Sequence, residues 1–417
     1  MRVATTSAPA EPDQAGQTER GLPTQVRLLI AARAVNQLGA FSLAFLTVLL
    51  SRDLGAGLAT AGAVSAAFGL ATIPSRLLGG RLAERCGPRR TILIGLLGCA
   101  AAQLGLAAAP DLALAAVFAI VLGLAFELYE PPSQAMIADA VRPADRTAAF
   151  ALLTTALSVG NMGAGLVADL VGRSNLRWLF VVDAASCLAC ALLVRCSLEP
   201  DAARPRRAGA PKESGSGAGS GTTSPWRDRT LLLVTAGGTV FASIYMLIIV
   251  ALPLSLAGYG LNPASAGLLM AASTLTLVVV RPVMRIRRIA ELPVGSMFAG
   301  GYVLMALGLA GFALAHTLPT LLGPTALISI GELLVMGRSL ALVSDLAPPG
   351  AAARYLAVYG LSWGVATFLA PLLSAWLLAA GGPALLWWVV AGVCVANAPA
   401  SALVAGLAAG QGCIERA

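Results

Sequence analysis

The chain has 417 residues, of which 58% are hydrophobic and 12% charged, where a soluble domain carries about 25% charged residues. With a mean hydropathy of +0.82, that composition excludes a soluble globular protein. The net charge of +8 comes from 28 Lys and Arg against 20 Asp and Glu; these cations are scattered among short loops, which argues against nucleic-acid binding.

Apolar runs of about 20 residues recur along the chain, each long enough to cross roughly 30 Å of hydrocarbon. The short alternating segments of a β-barrel do not occur. The expected fold is an all-α membrane protein. Crossings are placed at 28–50, 57–79, 91–109, 112–132, 147–171 and 177–196, then at 230–256, 264–284, 293–314, 319–341, 354–378 and 385–408. The first 26 residues hold no apolar stretch of signal-peptide type.

Loop charges set the orientation. Cations collect at 81–90, 142–146, 195–229 and 285–288, whereas the opposite loops hold only Arg52, Arg173 and Arg177. The positive-inside rule therefore puts both termini in the cytoplasm, with anionic lipid facing the basic side. Arginine dominates, Lys212 being the sole lysine, which fits a GC-rich bacterial genome and a cytoplasmic membrane.

Residues 200–225 are rich in Gly, Ser, Pro and Arg and have no apolar period, the composition of a flexible linker. The expected organisation is a cytoplasmic tail (1–27), a six-helix bundle (28–196), a linker (197–229), a second six-helix bundle (230–408) and a tail (409–417). A local repeat supports the division. Ala135 to Pro143 matches Ala341 to Pro349, with Asp139 and Asp345 separated by 345 − 139 = 206 positions, close to half the chain. Arg146 follows the first copy and Arg354 the second. Duplicated halves with a binding site between them are a transporter architecture.

The stretch GGRLAERCGPRRT, residues 79–91, packs four arginines and one acid between two apolar runs. Gly80, Leu82, Ala83, Glu84, Arg85, Gly87, Arg89 and Arg90 resemble the G-x-L-A-D-R-x-G-R-R/K signature of the major facilitator superfamily, with Glu84 one methylene longer than the usual Asp. Gly79 and Gly80 are expected to give close backbone approach and Gly87 a tight turn. Further stretches resemble the drug:proton antiporter branch: Arg33-Ala-Val-Asn36-Gln37-Leu-Gly39, Ala251-Leu-Pro253-Leu254, and Gly331-Glu332 followed by Ser344-Asp345-Leu-Ala-Pro348. Two features depart from that branch. Ile120 stands three residues before Gly123, where many exporters carry arginine, and the crossing-5 motif is reduced to Gly160, Ala164, Gly165, Ala168 and Asp169.

The resemblance implies a gate on the cytoplasmic side. Loop arginines pair with acids such as Asp139 and Asp345, and Glu84 faces the amino end of crossing 11 near Arg354, where free amide groups favour an anion. Such surface pairs are individually weak, so the latch is breakable.

Charges inside the membrane are costly and point to function. Glu332 lies well inside crossing 10. Glu127 and Glu130 lie three apart in crossing 4, expected on one helical face. A carboxyl group held away from water can exchange a proton near neutral pH, so the three are candidates for proton coupling, with structural hydrogen bonding or snorkelling to water as the alternative for each. Asn36, Gln37, Tyr245 and Trp363 are candidate cavity residues, or else helix-packing groups.

His316 is the single histidine, which excludes a His-based metal site or triad, so neither metal nor cofactor is expected. The seven cysteines lie mostly in crossings and imply no disulfide framework; Cys187 and Cys190 read as packing residues. No phosphate-binding G-x-x-x-x-G-K-[ST] occurs. The expected function is proton-driven export of a small amphipathic or drug-like compound by a monomer. An importing facilitator or symporter is the nearest alternative; an intramembrane enzyme and a non-transporting sensor are more distant ones.

Overall fold

A computed structural model describes residues 23–39, 42–141, 146–198, 225–282, 292–346 and 352–414. Within them the long elements are all helices. The first group is α1 (Thr24–Gln37), α2 (Ser42–Val48), α3 (Leu58–Cys86), α4 (Pro88–Ala108), α5 (Leu112–Phe126), α6 (Glu130–Ala140), α7 (Arg146–Gly172) and α8 (Arg177–Ser197). The second is α9 (Arg229–Gly258), α10 (Ala266–Val280), α11 (Val294–Leu314), α12 (Leu318–Leu346) and α13 (Ala352–Ile414).

Local chemistry accounts for several boundaries. Asp111 caps α5 by accepting the Leu114 N–H at 2.8 Å. Asp228 caps α9 by accepting the N–H groups of Thr230 and Leu231 at 2.9 and 3.1 Å. α3 and α4 are joined by Gly87 alone, whose φ of 94° lies where only glycine sits without strain, and Pro88 then opens α4. α13 bends at Gly381 and at Gly382, whose φ is 71°, giving two arms. Pro74, Pro253 and Pro324 lie inside α3, α9 and α12; membrane helices tolerate such breaks because neighbouring helices satisfy the freed carbonyls.

Among the described residues, nine helical stretches are long and apolar enough to cross a membrane. The sequence places twelve crossings, and the difference has three sources. Segment 28–50 is split into α1 and α2, each too short alone. α7, which carries Asn161 and Asp169, is not among the nine. The arms of α13 form one stretch of 47 residues, Val358–Val404, about 70 Å of helix and more than twice the hydrocarbon thickness.

Within the first group α4 packs on α8 and α5, α3 on α5, and α1 on α7 and α8; within the second, α9 and α11 pack on α13, and α12 on α11 and α10. Between the groups, α3 meets α13, α7 meets α10, and α2 meets α9. These meetings are backbone-close. A Cβ on Gly69 of α3 would lie 2.6 Å from the Thr367 carbonyl oxygen, and Cβ atoms on Gly165 and Gly267 would each lie 2.3 Å from the other's carbonyl oxygen. Small residues at such crossings are how membrane helices gain packing energy where lipid is as apolar as the partner. Gly165 and Gly267 lie toward the end of the molecule that bears Arg52, Arg173 and Arg177, called here the arginine-poor end.

Candidate transport cavity and its buried ion pairs

A cavity of about 360 Å³ lies between the two groups. α3 supplies Phe68, Thr72 and Arg76, and the end of α5 supplies Phe126 and Glu127; Met246 of α9, with Trp363 and Thr367 of α13, closes the other side. Phe68 and Phe126 meet edge to face at 5.6 Å. Trp363 meets Tyr245 in the same manner at 5.4 Å. Three aromatic rings and Met246 therefore share the wall with Thr72, Thr367 and one charge pair.

That pair arises where α5 stops. The helix ends at Phe126, and the Glu127 N–H is taken by the buried Ser75 hydroxyl of α3 at 3.2 Å. At the next residue of α3, Arg76 Nε stands 3.2 Å from Glu127 Oε2. The contact is an ion pair off good hydrogen-bond alignment, since Oε2 is buried with no hydrogen bond. The arginine side chain is 55% exposed and the glutamate 26%, so the pair sits at the cavity wall.

The expectation that Glu127 and Glu130 share one helical face is corrected here. α5 ends before Glu127 and α6 begins at Glu130, so the two acids flank a turn and face different helices. Glu130 does not snorkel to water either: it forms an ion pair with Arg33 of α1, with side-chain exposures of 20% and 8%. Gln134 donates to the same carboxylate at 2.8 Å. The Arg33 guanidinium lies 4.9 Å from the Tyr129 ring centroid, a cation–π stack. The Tyr129 hydroxyl donates to Asn36 Oδ1 at 2.9 Å, and Asn36 Nδ2 donates to Cys187 Sγ at 3.2 Å. Arg33 Nε and Nη1 are buried without a hydrogen-bond partner. One polar thread thus ties α1, the α5–α6 turn, α6 and α8.

Asn36 belongs to this thread, and Gln37 donates to Asn161 of α7 at 2.6 Å; neither lines the cavity. Both hold α1 to its neighbours, the second of the two readings the sequence leaves open for them. Trp363 lines the cavity, and Tyr245 stands behind it. Glu332, 8% exposed on α12, lies near Tyr245. Gly331 beside it presses on α11, where a Cβ would lie 2.5 Å from the Gly301 carbonyl oxygen. Among the described residues no cation or hydrogen-bond donor meets the Glu332 carboxyl group.

In the 79–91 stretch, Arg89 donates to the Arg195 carbonyl at the end of α8 at 2.6 Å. Arg85 is exposed and Arg90 is not without a partner. A Cβ on Gly79 would lie 2.5 Å from the Leu128 carbonyl oxygen, whereas one on Gly80 would meet nothing within 4 Å. Close approach in this state is therefore made by Gly79, correcting its assignment to both glycines. The side chains of Glu84, Asp139, Arg146, Asp345 and Arg354, the acids and arginines of the expected latch, lie outside the described residues.

Arg33 and Arg76 were not singled out as functional in the sequence. Each left a signal, a lone cation inside or at the start of an apolar run with acids in crossing 4. Ile120 holds no cation where many exporters carry arginine, and helices α1 and α3 bring Arg33 and Arg76 to the acids instead.

A family model described as Major Facilitator Superfamily matches residues 29–286 and 234–408. An uncharacterized MFS-type transporter of Bacillus subtilis, YhjO, is 26% identical over 335 residues, 77% of this chain and 78% of that one. A Na(+), Li(+), K(+)/H(+) antiporter of Planococcus maritimus is 24% identical, covering 80% and 85%. The multidrug resistance protein MdtH of Aeromonas hydrophila is 25% identical, covering 71% and 73%. Among solved structures, the POT family transporter PepTSo superposes with a TM-score of 0.76 at 16% identity, covering 94% and 99% of the two chains.

Proposed function

The chain belongs to the major facilitator superfamily and is a membrane-embedded transporter of that type, and from this footing we propose that it exports a small amphipathic or drug-like compound in exchange for protons. Its twelve crossings form two six-helix bundles, α1–α8 and α9–α13, in a bacterial cytoplasmic membrane with both termini inside. The bundles rock about the α3–α13 and α7–α10 contacts to expose the cavity to each side in turn.

The observation that carries this reading is the cavity wall. Helices from both sides of the linker build it, it is aromatic, and it holds one charge pair. A volume of about 360 Å³ falls within the range of small-molecule sites. A sugar would need more hydrogen-bonding partners than Thr72, Thr367 and the charge pair provide.

Protons enter through carboxyl groups. Uptake by Glu127 removes its attraction for Arg76 and frees a guanidinium that faces the cavity. Substrate and proton thereby compete for one site, the requirement for exchange. Glu332 is a second carrier, lodged behind Tyr245 where its charge state is felt by the aromatic wall. The multidrug and cation/proton-antiporter relatives support this reading over the facilitator alternative, which the missing crossing-4 arginine favours.

The test uses proteoliposomes loaded with the pH-sensitive dye pyranine and a panel of neutral and cationic aromatic compounds. Export predicts a proton flux that starts on compound addition and is lost in Glu127→Gln. Compound equilibration with no proton flux, at the same rate with and without a pH gradient, contradicts it and leaves the facilitator.

A further inference from the structure

The Arg76–Glu127 pair owes its geometry to a residue that does not line the cavity. α3 carries two neighbouring stripes, each with a residue at every fourth position and so on one face. Phe68, Thr72 and Arg76 form the first and line the transport cavity. Ala71, Ser75 and Gly79 form the second, and all three are buried.

The second stripe grips the end of α5 at three levels. A Cβ on Gly123 would lie 2.8 Å from the Ala71 Cβ. One turn of α5 further on, the Glu127 N–H donates to the Ser75 hydroxyl at 3.2 Å. At the third level a Cβ on Gly79 would lie 2.5 Å from the Leu128 carbonyl oxygen. The first and third contacts are packing, which has no preferred direction. Only the middle one is a hydrogen bond, and it alone fixes the rotation of the turn.

That bond also replaces a lost one. Within its own segment the Glu127 N–H reaches back to the Ala125 carbonyl, two residues away, in place of the carbonyl four residues back that a continuing helix would use. Ser75 is 0% exposed, so bulk water does not stand in for its hydroxyl. Adjacent positions of α3 thus supply an anchor for the Glu127 backbone and a cation for its carboxylate.

We propose that Ser75 is a positioning residue: its hydroxyl holds the Glu127 backbone in register with Arg76 and so sets the proton concentration at which that pair opens. The inference rests on the reading of Glu127 as a proton site and adds the residue that regulates it. Arg76 of α3, Arg33 of α1 and Glu130 of α6 are the charged groups acting on the Glu127 carboxylate, and Cys99 of α4 is a titratable thiol near it. α9 and α13 present Met246, Trp363 and Thr367 to the cavity, none of them charged. Arg33 and Glu130 offset each other as a pair, which leaves Arg76 as the group whose distance matters.

Infrared titration of the full-length protein in lipid nanodiscs tests the proposal, with the carboxyl stretching band of Glu127 identified by its loss in Glu127→Gln. A cation at close range favours the ionised carboxylate, so a turn freed from its anchor takes up the proton at higher pH. In Ser75→Ala the midpoint of the Glu127 band should rise by about half a pH unit, the size that a partly exposed pair can supply. Arg76→Gln should raise it at least as far. In that background Ser75→Ala should add nothing, since no cation remains to be positioned; a merely structural loosening would act alike in both. Should Ser75→Ala fail to fold, Ser75→Cys, which keeps the shape with a weaker acceptor, is read in the same way. The band does not depend on transport, so a midpoint that moves as stated in a protein without proton flux upholds the positioning role and contradicts export. An unchanged or lowered midpoint in the serine variant, or an equal rise with and without Arg76, overturns the proposal.

Discussion

Removing one member of the Arg33–Glu130 pair should cost unequal amounts, depending on which is removed. Glu130→Gln leaves a guanidinium whose side chain is 8% exposed and whose Nε and Nη1 already lack partners. Arginine cannot shed its charge, so the stranded cation stays charged; breaking a buried pair in this way costs about 3 kcal/mol. Arg33→Met leaves a carboxylate that is 20% exposed, keeps the Gln134 donor at 2.8 Å and can take up a proton. Its cost should be nearer 1 kcal/mol, the size of one lost charged hydrogen bond offset by water access. In the double variant no stranded charge remains, so the two changes together should cost about 1 kcal/mol, roughly 3 kcal/mol less than their sum. Reversible unfolding in mixed micelles with increasing dodecyl sulfate, followed by tryptophan fluorescence, measures all four corners of the cycle. Additive costs within about 0.5 kcal/mol, the figure for independent sites, would refute the reasoning and reduce the pair to two separately solvated side chains.

Four other outcomes are expected. Glu332→Gln should abolish accumulation driven by a pH gradient while sparing downhill exchange, read by paired flux assays in proteoliposomes; uphill transport surviving in the Glu127, Glu130 and Glu332 triple Gln variant eliminates carboxylate coupling. Arg76→Ala should change the apparent affinity for cationic over neutral aromatic compounds by about tenfold in favour of cations, since the Glu127 charge is then unopposed in a partly buried wall; equal shifts for both classes contradict this. Gly267→Val must push α10 off α7, where a Cβ lies 2.3 Å from the Gly165 carbonyl oxygen, and should raise thiol labelling of a cysteine placed at Ser174, with Gly237→Ala as the control that meets nothing. Gly80→Val should lower turnover while leaving ligand affinity within a few-fold, because Gly80 is at the arginine-rich rim with open space around it in this state.

Much of the helical character was legible because a bilayer imposes one rule on every residue of a crossing: runs of about 20 apolar residues with helix-only backbone satisfaction. Gly87 shows how far this goes. A glycine between an acid-arginine cluster and Pro88 announces a one-residue turn, and its φ of 94° is that turn. Composition could not reveal where a helix stops inside an apolar run. α5 ends at Phe126, where Ser75 of another helix takes the next N–H and Pro131 and Pro132 open α6; the prolines mark a break, but which partner each of Glu127 and Glu130 meets is set by the packing of other helices. Asn36 stayed open between two readings for a related reason: a polar residue in a crossing faces either a cavity or a neighbour, and only the fold brings Tyr129, 93 positions away, to its side chain. Arg33 and Arg76 were visible as costly charges, but only the packing of α1 and α3 against the α5–α6 turn gives each its acid.

If carboxyl protonation shifts the transporter between two openings, the distance across the arginine-poor end reads that shift. Spin labels at Ser174 of the first bundle and Leu261 of the second, in a protein whose native cysteines have been replaced, flank the α7–α10 contact. Double electron–electron resonance in nanodiscs should give a short separation at high pH and a growing longer population as pH falls, with Glu127→Gln and Glu332→Gln together held in one distribution at every pH. One unchanging distance from acid to alkaline pH in the unsubstituted carboxyl background, or an unaltered pH response in the double Gln variant, would contradict the account.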